Sequence, residues 1–93
     1  MATKLTLRDS GRYKLAASDA LEECRAARAK FPIMNSPHEG FAVLLEEVDE
    51  LKAHVWTKQG LRDLKAMRKE AIQVAAMALS FAADCCDSVT GRK

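Results

Sequence analysis

Between Ala71 and Ala83 the chain reads AIQVAAMALSFAA, and Gln73 and Ser80 are its only polar residues. A helix apolar on nearly every side must be buried on nearly every side. A chain of 93 residues makes one small domain with a modest core. It can set only two further short helices around this one, and two helices cannot wrap a third. The expected fold is therefore all-α: an antiparallel bundle of three main helices per chain, completed by oligomerisation. The alanines would let backbones approach closely where a second subunit covers the helix, as a homodimer or homotetramer.

The other helices follow from periodicity and punctuation. Leu15, Ala16, Ala20, Leu21, Cys24 and Ala27 recur at helical spacing and predict a first helix from about Ser10 to Lys30. KFPIMNSPHEG interrupts, because Pro32 and Pro37 each disfavour helical backbone at the residue before them. Ser36 then serves as N-cap, with Pro37 at the first helical position and Glu39 at the third, a capping box. The second helix runs to Val55 or Trp56, where TKQG breaks it. The third is expected from near Leu61 to about Val89, with SVTGRK as a frayed end. A short strand pattern, TKLTL, precedes the first helix.

Composition removes several function classes. A net charge of +2, with basic residues spread along the chain, does not suit a nucleic acid polymer or an anionic membrane. No segment approaches the ~20 apolar residues needed to span a bilayer, and MATKLTLRDSGRYK carries no apolar signal core. Cys24, Cys85 and Cys86 are an odd set with two adjacent members, which fits neither a disulfide framework nor a zinc site. Reduced thiols in a cytoplasmic protein are the expectation.

The acidic residues carry the functional signal. EEVDE, residues 46–50, puts four carboxylates into a helix whose core face is expected to be Phe41, Leu44, Leu45, Val48, Leu51 and Val55. Glu47 lies at the margin of that face, with Glu50 one turn on and Asp49 turned to solvent. On the third helix Glu70, Gln73, Ser80, Asp84 and Asp87, with Met77 in line, form a narrow stripe. Asp84 and Asp87 read as its solvated edge, whereas Glu70 and Gln73 enter the apolar run itself. Burying neighbouring carboxylates costs several kcal/mol unless a positive charge joins them. A hard divalent cation meets that need with oxygen ligands. If the second and third helices pack antiparallel, Glu70 and Gln73 face Glu47 and Glu50.

LLEEVDEL, followed some twenty residues later by MRKEAIQVAAMAL, resembles the MazG-like all-α nucleoside triphosphate pyrophosphohydrolases, a superfamily that includes dimeric dUTPases and phosphoribosyl-ATP pyrophosphatases. The resemblance covers residues 37–84. The family pattern is Glu-x-x-Glu on one helix and Glu-x-x-Asp on the next. Glu47 and Glu50 match the first pair, Glu46 supplies the frequent leading glutamate, and Glu70 matches the third ligand. Gln73 stands where the family has Asp. Its amide oxygen can ligate a metal but brings no charge.

The resemblance implies Mg2+-dependent (Mn2+ in its place) hydrolysis of a (d)NTP to (d)NMP and pyrophosphate, as nucleotide-pool house-cleaning. Glu47, Glu50, Glu70 and Gln73 would hold the metal, and Glu46 or Glu47 would be the general base. Lys58, Arg62, Lys65, Arg68 and Lys69 cluster between the acidic motifs, and Arg68 and Lys69 adjoin Glu70. Lys58, Arg68 and Lys69 are candidates for the phosphates and Trp56 for stacking on a base. His38 and His54 have no partner at zinc spacing. Gln73 leaves open a degenerate helical oligomer, serving nucleotide sensing or protein interaction, or a subfamily that recruits Glu46 or Asp84. A plain structural dimer would explain the apolar helix but not the glutamates.

Overall fold

The computed structural model describes residues 4–87, and among them there are three long helices and no strand. Helix α1 spans Leu7–Lys30, α2 spans Pro37–Val55 and α3 spans Leu64–Phe81. The architecture is the expected all-α bundle. No helix of the described residues is long and apolar enough to cross a membrane.

Most boundaries follow local capping chemistry. The strand expected at TKLTL is replaced by a helix start: the Thr6 hydroxyl accepts the Asp9 N–H at 3.0 Å, so α1 opens at Leu7 rather than Ser10. Phe31, ahead of Pro32, takes extended backbone (φ −130°, ψ 148°) and ends α1. Ser36 Oγ accepts the Glu39 N–H at 3.1 Å. The Glu39 carboxylate reaches back one residue further than in a capping box, accepting from the Asn35 backbone and side chain at 3.3 Å each. Helix α2 stops at Val55, where the Arg62 guanidinium donates to Val55 O at 2.7 Å and Thr57 O at 3.2 Å. A 3-10 turn, Gln59–Leu61, stands where α3 was expected to begin. Asp63 is the true N-cap, accepting the Ala66 N–H at 3.0 Å. Past Phe81 the backbone widens into a π turn, Ala82–Cys86. The expected end near Val89 and the frayed SVTGRK lie outside the described residues.

The helices run up, down, up. Gly40, at the start of α2, lies against Phe81 at the end of α3, so these two are antiparallel. Contacts Asp19–Arg68, Cys24–Ala76 and Arg28–Asp84 advance together, so α1 runs parallel to α3. The deepest contacts are small: Ala76 is fully buried and Ala20 nearly so. A Cβ added to Gly40 would stand 2.8 Å from Phe81 Cδ2 and 2.9 Å from Met34 Sδ, so glycine is what lets α2, α3 and the α1–α2 linker converge there.

The packed face of α2 differs from the expected one. Gly40 is buried and Val43, Leu44, Glu47 and Leu51 are half-buried, while Phe41, Leu45 and Val48 are exposed. The face is rotated so that Glu47 turns inward and three large apolar side chains turn out.

Candidate metal centre

One carboxylate oxygen each from Glu47, Glu50 and Glu70 lies within 4.8 Å of the other two. The antiparallel packing of α2 on α3 creates this meeting, since Glu47 and Glu50 share one flank of α2 a turn apart and Glu70 faces them from α3. Glu47 and Glu70 are half-buried and Glu50 is exposed. Oε2 of Glu47 and Oε2 of Glu70 are buried and accept no hydrogen bond. Burial, then the charge of Glu50, a hydrogen bond with Glu50, and the charges of Glu70 and Glu46 hold the Glu47 carboxyl above the usual carboxylate range. The site thus joins hard oxygen donors, excess negative charge and two buried oxygens without partners. That donor set suits Mg2+ or Mn2+ and would not suit a soft metal.

Glu47 also borders a cavity of about 490 Å³ between the helices. Glu46, Gln73, Met77 and Ser80 line it, along with Arg28 from α1 and Asp84. Gln73 thus shares the lining of this cavity with Glu47. Ser80 Oγ donates to Cys24 Sγ at 3.7 Å, and Cys24 Sγ donates to Ala76 O at 3.3 Å. None of the three cysteines is joined in a disulfide.

Asp84 overturns its expected place on a solvated edge. It is 4 % exposed, accepts from Arg28 Nη2 at 2.8 Å and accepts the Met34 N–H at 3.0 Å. The π turn carries it inward, and a buried carboxylate needs such partners. These bonds occupy it, so it is not a spare ligand for the glutamates. Asp87 is exposed, as expected. Sequence reasoning passed over Arg28, whose guanidinium stands at the cavity; its partner is 56 residues away, and no local pattern marks that pair.

The other expected substrate contacts lie elsewhere. Arg68 pairs with Asp19 of α1 at 2.8 Å, and Lys69 and Lys65 border a groove there with Glu22, Glu23 and Asp63. Arg62 caps α2. Trp56 is exposed, with Lys52 Nζ 5.8 Å from its ring centroid, and Lys58 is exposed beside the 3-10 turn.

No protein-family model, curated protein or solved structure matches this chain. Fold and site together define an all-α three-helix protein with a three-glutamate cluster beside an interhelical cavity.

Proposed function

We propose that the chain is a MazG-like, Mg2+-dependent nucleoside triphosphate pyrophosphohydrolase that converts a (d)NTP to (d)NMP and pyrophosphate. The observation that carries this reading is the convergence of Glu47, Glu50 and Glu70 within 4.8 Å, with Oε2 of Glu47 and of Glu70 buried and unpartnered. Spacing along one helix would explain Glu47 and Glu50 on a shared face. It would not bring Glu70 to them.

Glu47, Glu50 and Glu70 would hold the ion, and Gln73 at the cavity edge could add a neutral oxygen. When bound, the ion offsets phosphate charge and lowers the pKa of its water. Of the cavity's carboxylates outside the three-glutamate cluster, Glu39 bonds Asn35 and Asp84 bonds Arg28 and Met34, so Glu46 would be the one to accept the proton of the attacking water. Water oxygen bonds to the α-phosphorus, the α–β bridging bond breaks, and pyrophosphate leaves. Arg28, fixed by Asp84, presents its remaining N–H donors to the triphosphate. Apolar walls from Met34, Val43 and Met77 limit water in the cavity.

A pyrophosphate-release assay over a panel of nucleoside triphosphates in Mg2+ or Mn2+ tests this. Release that is abolished in Glu47→Gln is the expected result. Gln73 in place of a carboxylate favours the second reading, a nucleotide-sensing module without turnover. Nucleotides that raise the melting temperature but yield no pyrophosphate would establish that reading instead.

A further inference from the structure

Glu50 is the exposed member of the three-glutamate centre, and its carboxylate faces two like charges. The basic side chains nearest in sequence are engaged elsewhere. Arg62 donates to Val55 O and Thr57 O, and Arg68 pairs with Asp19. Lys65 and Lys69 border the groove on the α1 side, and Lys52 lies over the Trp56 ring. On α2 itself, the residues three and four positions from Glu50 are Glu46, Glu47, Ala53 and His54. His54 is the one side chain among these four with an N–H to donate. Its direction also fits. Glu47, Glu50 and His54 stand at i, i+3 and i+7, so His54 falls between the two glutamates around the helix. Helical side chains lean toward the N-terminus, which carries the imidazole back over Glu50. His54 is half-buried while Lys52, Ala53 and Trp56 around it are exposed, so this flank is turned toward α3. There Ala66 and Met67, half-buried about one turn before Glu70, bring no side-chain oxygen, and the Asp63 carboxylate caps α3 through the Ala66 N–H. Among the described residues nothing hydrogen-bonds the imidazole.

We propose that His54 is a positioning residue of the metal centre: a ring N–H donates to the Glu50 carboxylate and orients it toward the ion that Glu47, Glu50 and Glu70 hold. This role rests on the divalent-cation reading of those three glutamates. Among the described residues, the donors that all lie within 4.8 Å of one another are Glu47, Glu50 and Glu70 alone, so His54 stands outside the ligand set. Glu50 shares a hydrogen bond with Glu47, which requires a proton between the two carboxyls. Ligation ends that sharing, because both carboxylates must ionise to bind the cation. Glu50 then has an outer oxygen to satisfy, and His54 supplies the donor. Glu50 also has three rotatable side-chain bonds and little packing to restrain them, so ligation costs it rotamer freedom. A hydrogen bond from the imidazole restrains it, as carboxylate ligands of metal centres are generally restrained. An imidazole can donate as a neutral group. A lysine at this position would instead cancel part of the negative charge that attracts the cation.

Calorimetric titration of Mg2+ into the full chain, beside His54→Ala, His54→Gln and Glu70→Gln, tests this role. His54 is half-buried one residue before the end of α2, so helical circular dichroism should survive its replacement. His54→Ala should weaken Mg2+ binding about tenfold or more. His54→Gln keeps an N–H at the end of the side chain and should recover most of the affinity, which a ring that merely fills space would not allow. Imidazole nitrogen NMR of the wild type is a second readout that needs no variant. The chain has two histidines, and His38, at the exposed start of α2, is the internal control. Added Mg2+ should shift the ring nitrogens of His54 and leave those of His38 in place. Equal Mg2+ affinity in the wild type and His54→Ala, with affinity lost in Glu70→Gln, would overturn the role of His54 and leave the metal centre standing. His54→Gln as weak as His54→Ala, or His54 signals that Mg2+ does not move, would also overturn it. A wild type that binds no Mg2+ would overturn both the role and the metal centre.

Discussion

Replacing Glu47 by Gln, in the absence of metal, should make the protein more stable at neutral pH. Glu47 faces Glu50 and Glu70 with carboxylate oxygens no more than 4.8 Å apart. At that separation each pair of unit charges repels by about 0.9 kcal/mol in water and about 3.5 kcal/mol at an effective dielectric of 20. Glu50 is exposed, which brings its share toward the lower figure. Removing the Glu47 charge should therefore gain roughly 1–3 kcal/mol. For a domain of this size each kcal/mol is about 4–8 °C in melting temperature. The pH dependence has a definite sign. Burial, with neighbouring charge, raises the Glu47 carboxyl above its ordinary value in the fold, so between the unfolded and folded values the native state holds more protons. Stability from this group is present below the unfolded value near 4.5 and is lost as pH rises through the folded one. The advantage of Glu47→Gln should accordingly be greatest at pH 7 and vanish near pH 4. Added Mg2+ should then reverse the order, raising the melting temperature of the wild type more than that of the variant. Thermal melts by circular dichroism at pH 4 and pH 7, with chelator or Mg2+, are sufficient. A metal-free variant at pH 7 that melts at or below the wild type would refute the repulsive cluster.

Three further outcomes follow from named contacts. Gln73→Asp should tighten Mg2+ binding in calorimetry, because it returns a negative charge beside Glu47; unchanged affinity would remove Gln73 from the site. Arg28→Ala should cost about 2–3 kcal/mol in urea unfolding, since it leaves the buried Asp84 carboxylate with only the Met34 N–H, and it should raise KM if the chain turns over nucleotides. The cost is set below that of a fully buried pair because Arg28 is half-exposed, and a loss under 0.5 kcal/mol would mean water replaces the guanidinium freely. Gly40→Ala should lower the melting temperature despite alanine's higher helix propensity, by a net cost of about 1 kcal/mol, because its Cβ would meet Phe81 and Met34 below 3.0 Å. A stabilised variant would show that the ring and the thioether move aside.

The fold was legible wherever local chemistry decides it. Pro32, Ser36 and Pro37 mark the α1–α2 boundary by steric and capping rules that act within four residues. The start of α3 was misplaced because Gly60 and Asp63 both punctuate, and only Asp63 finds an N–H to accept. The packed face of α2 was misassigned for a different reason. Hydrophobicity alone selects Phe41, Leu45 and Val48, but in the fold the small Gly40 and the carboxylate of Glu47 face α3 instead. The glutamate cluster was anticipated from helical spacing and family resemblance. The Arg28–Asp84 pair was not, because it depends on a π turn and on a parallel α1 that no periodicity encodes.

Whether Glu47, Glu50 and Glu70 hold a divalent cation is measured most directly by titrating Mg2+ into the protein in a calorimeter at pH 7.5, beside Glu70→Gln. The expected result is saturable binding by the wild type, weakened at least about tenfold in the variant. Heats of simple dilution in both proteins, or equal affinity in both, would contradict it.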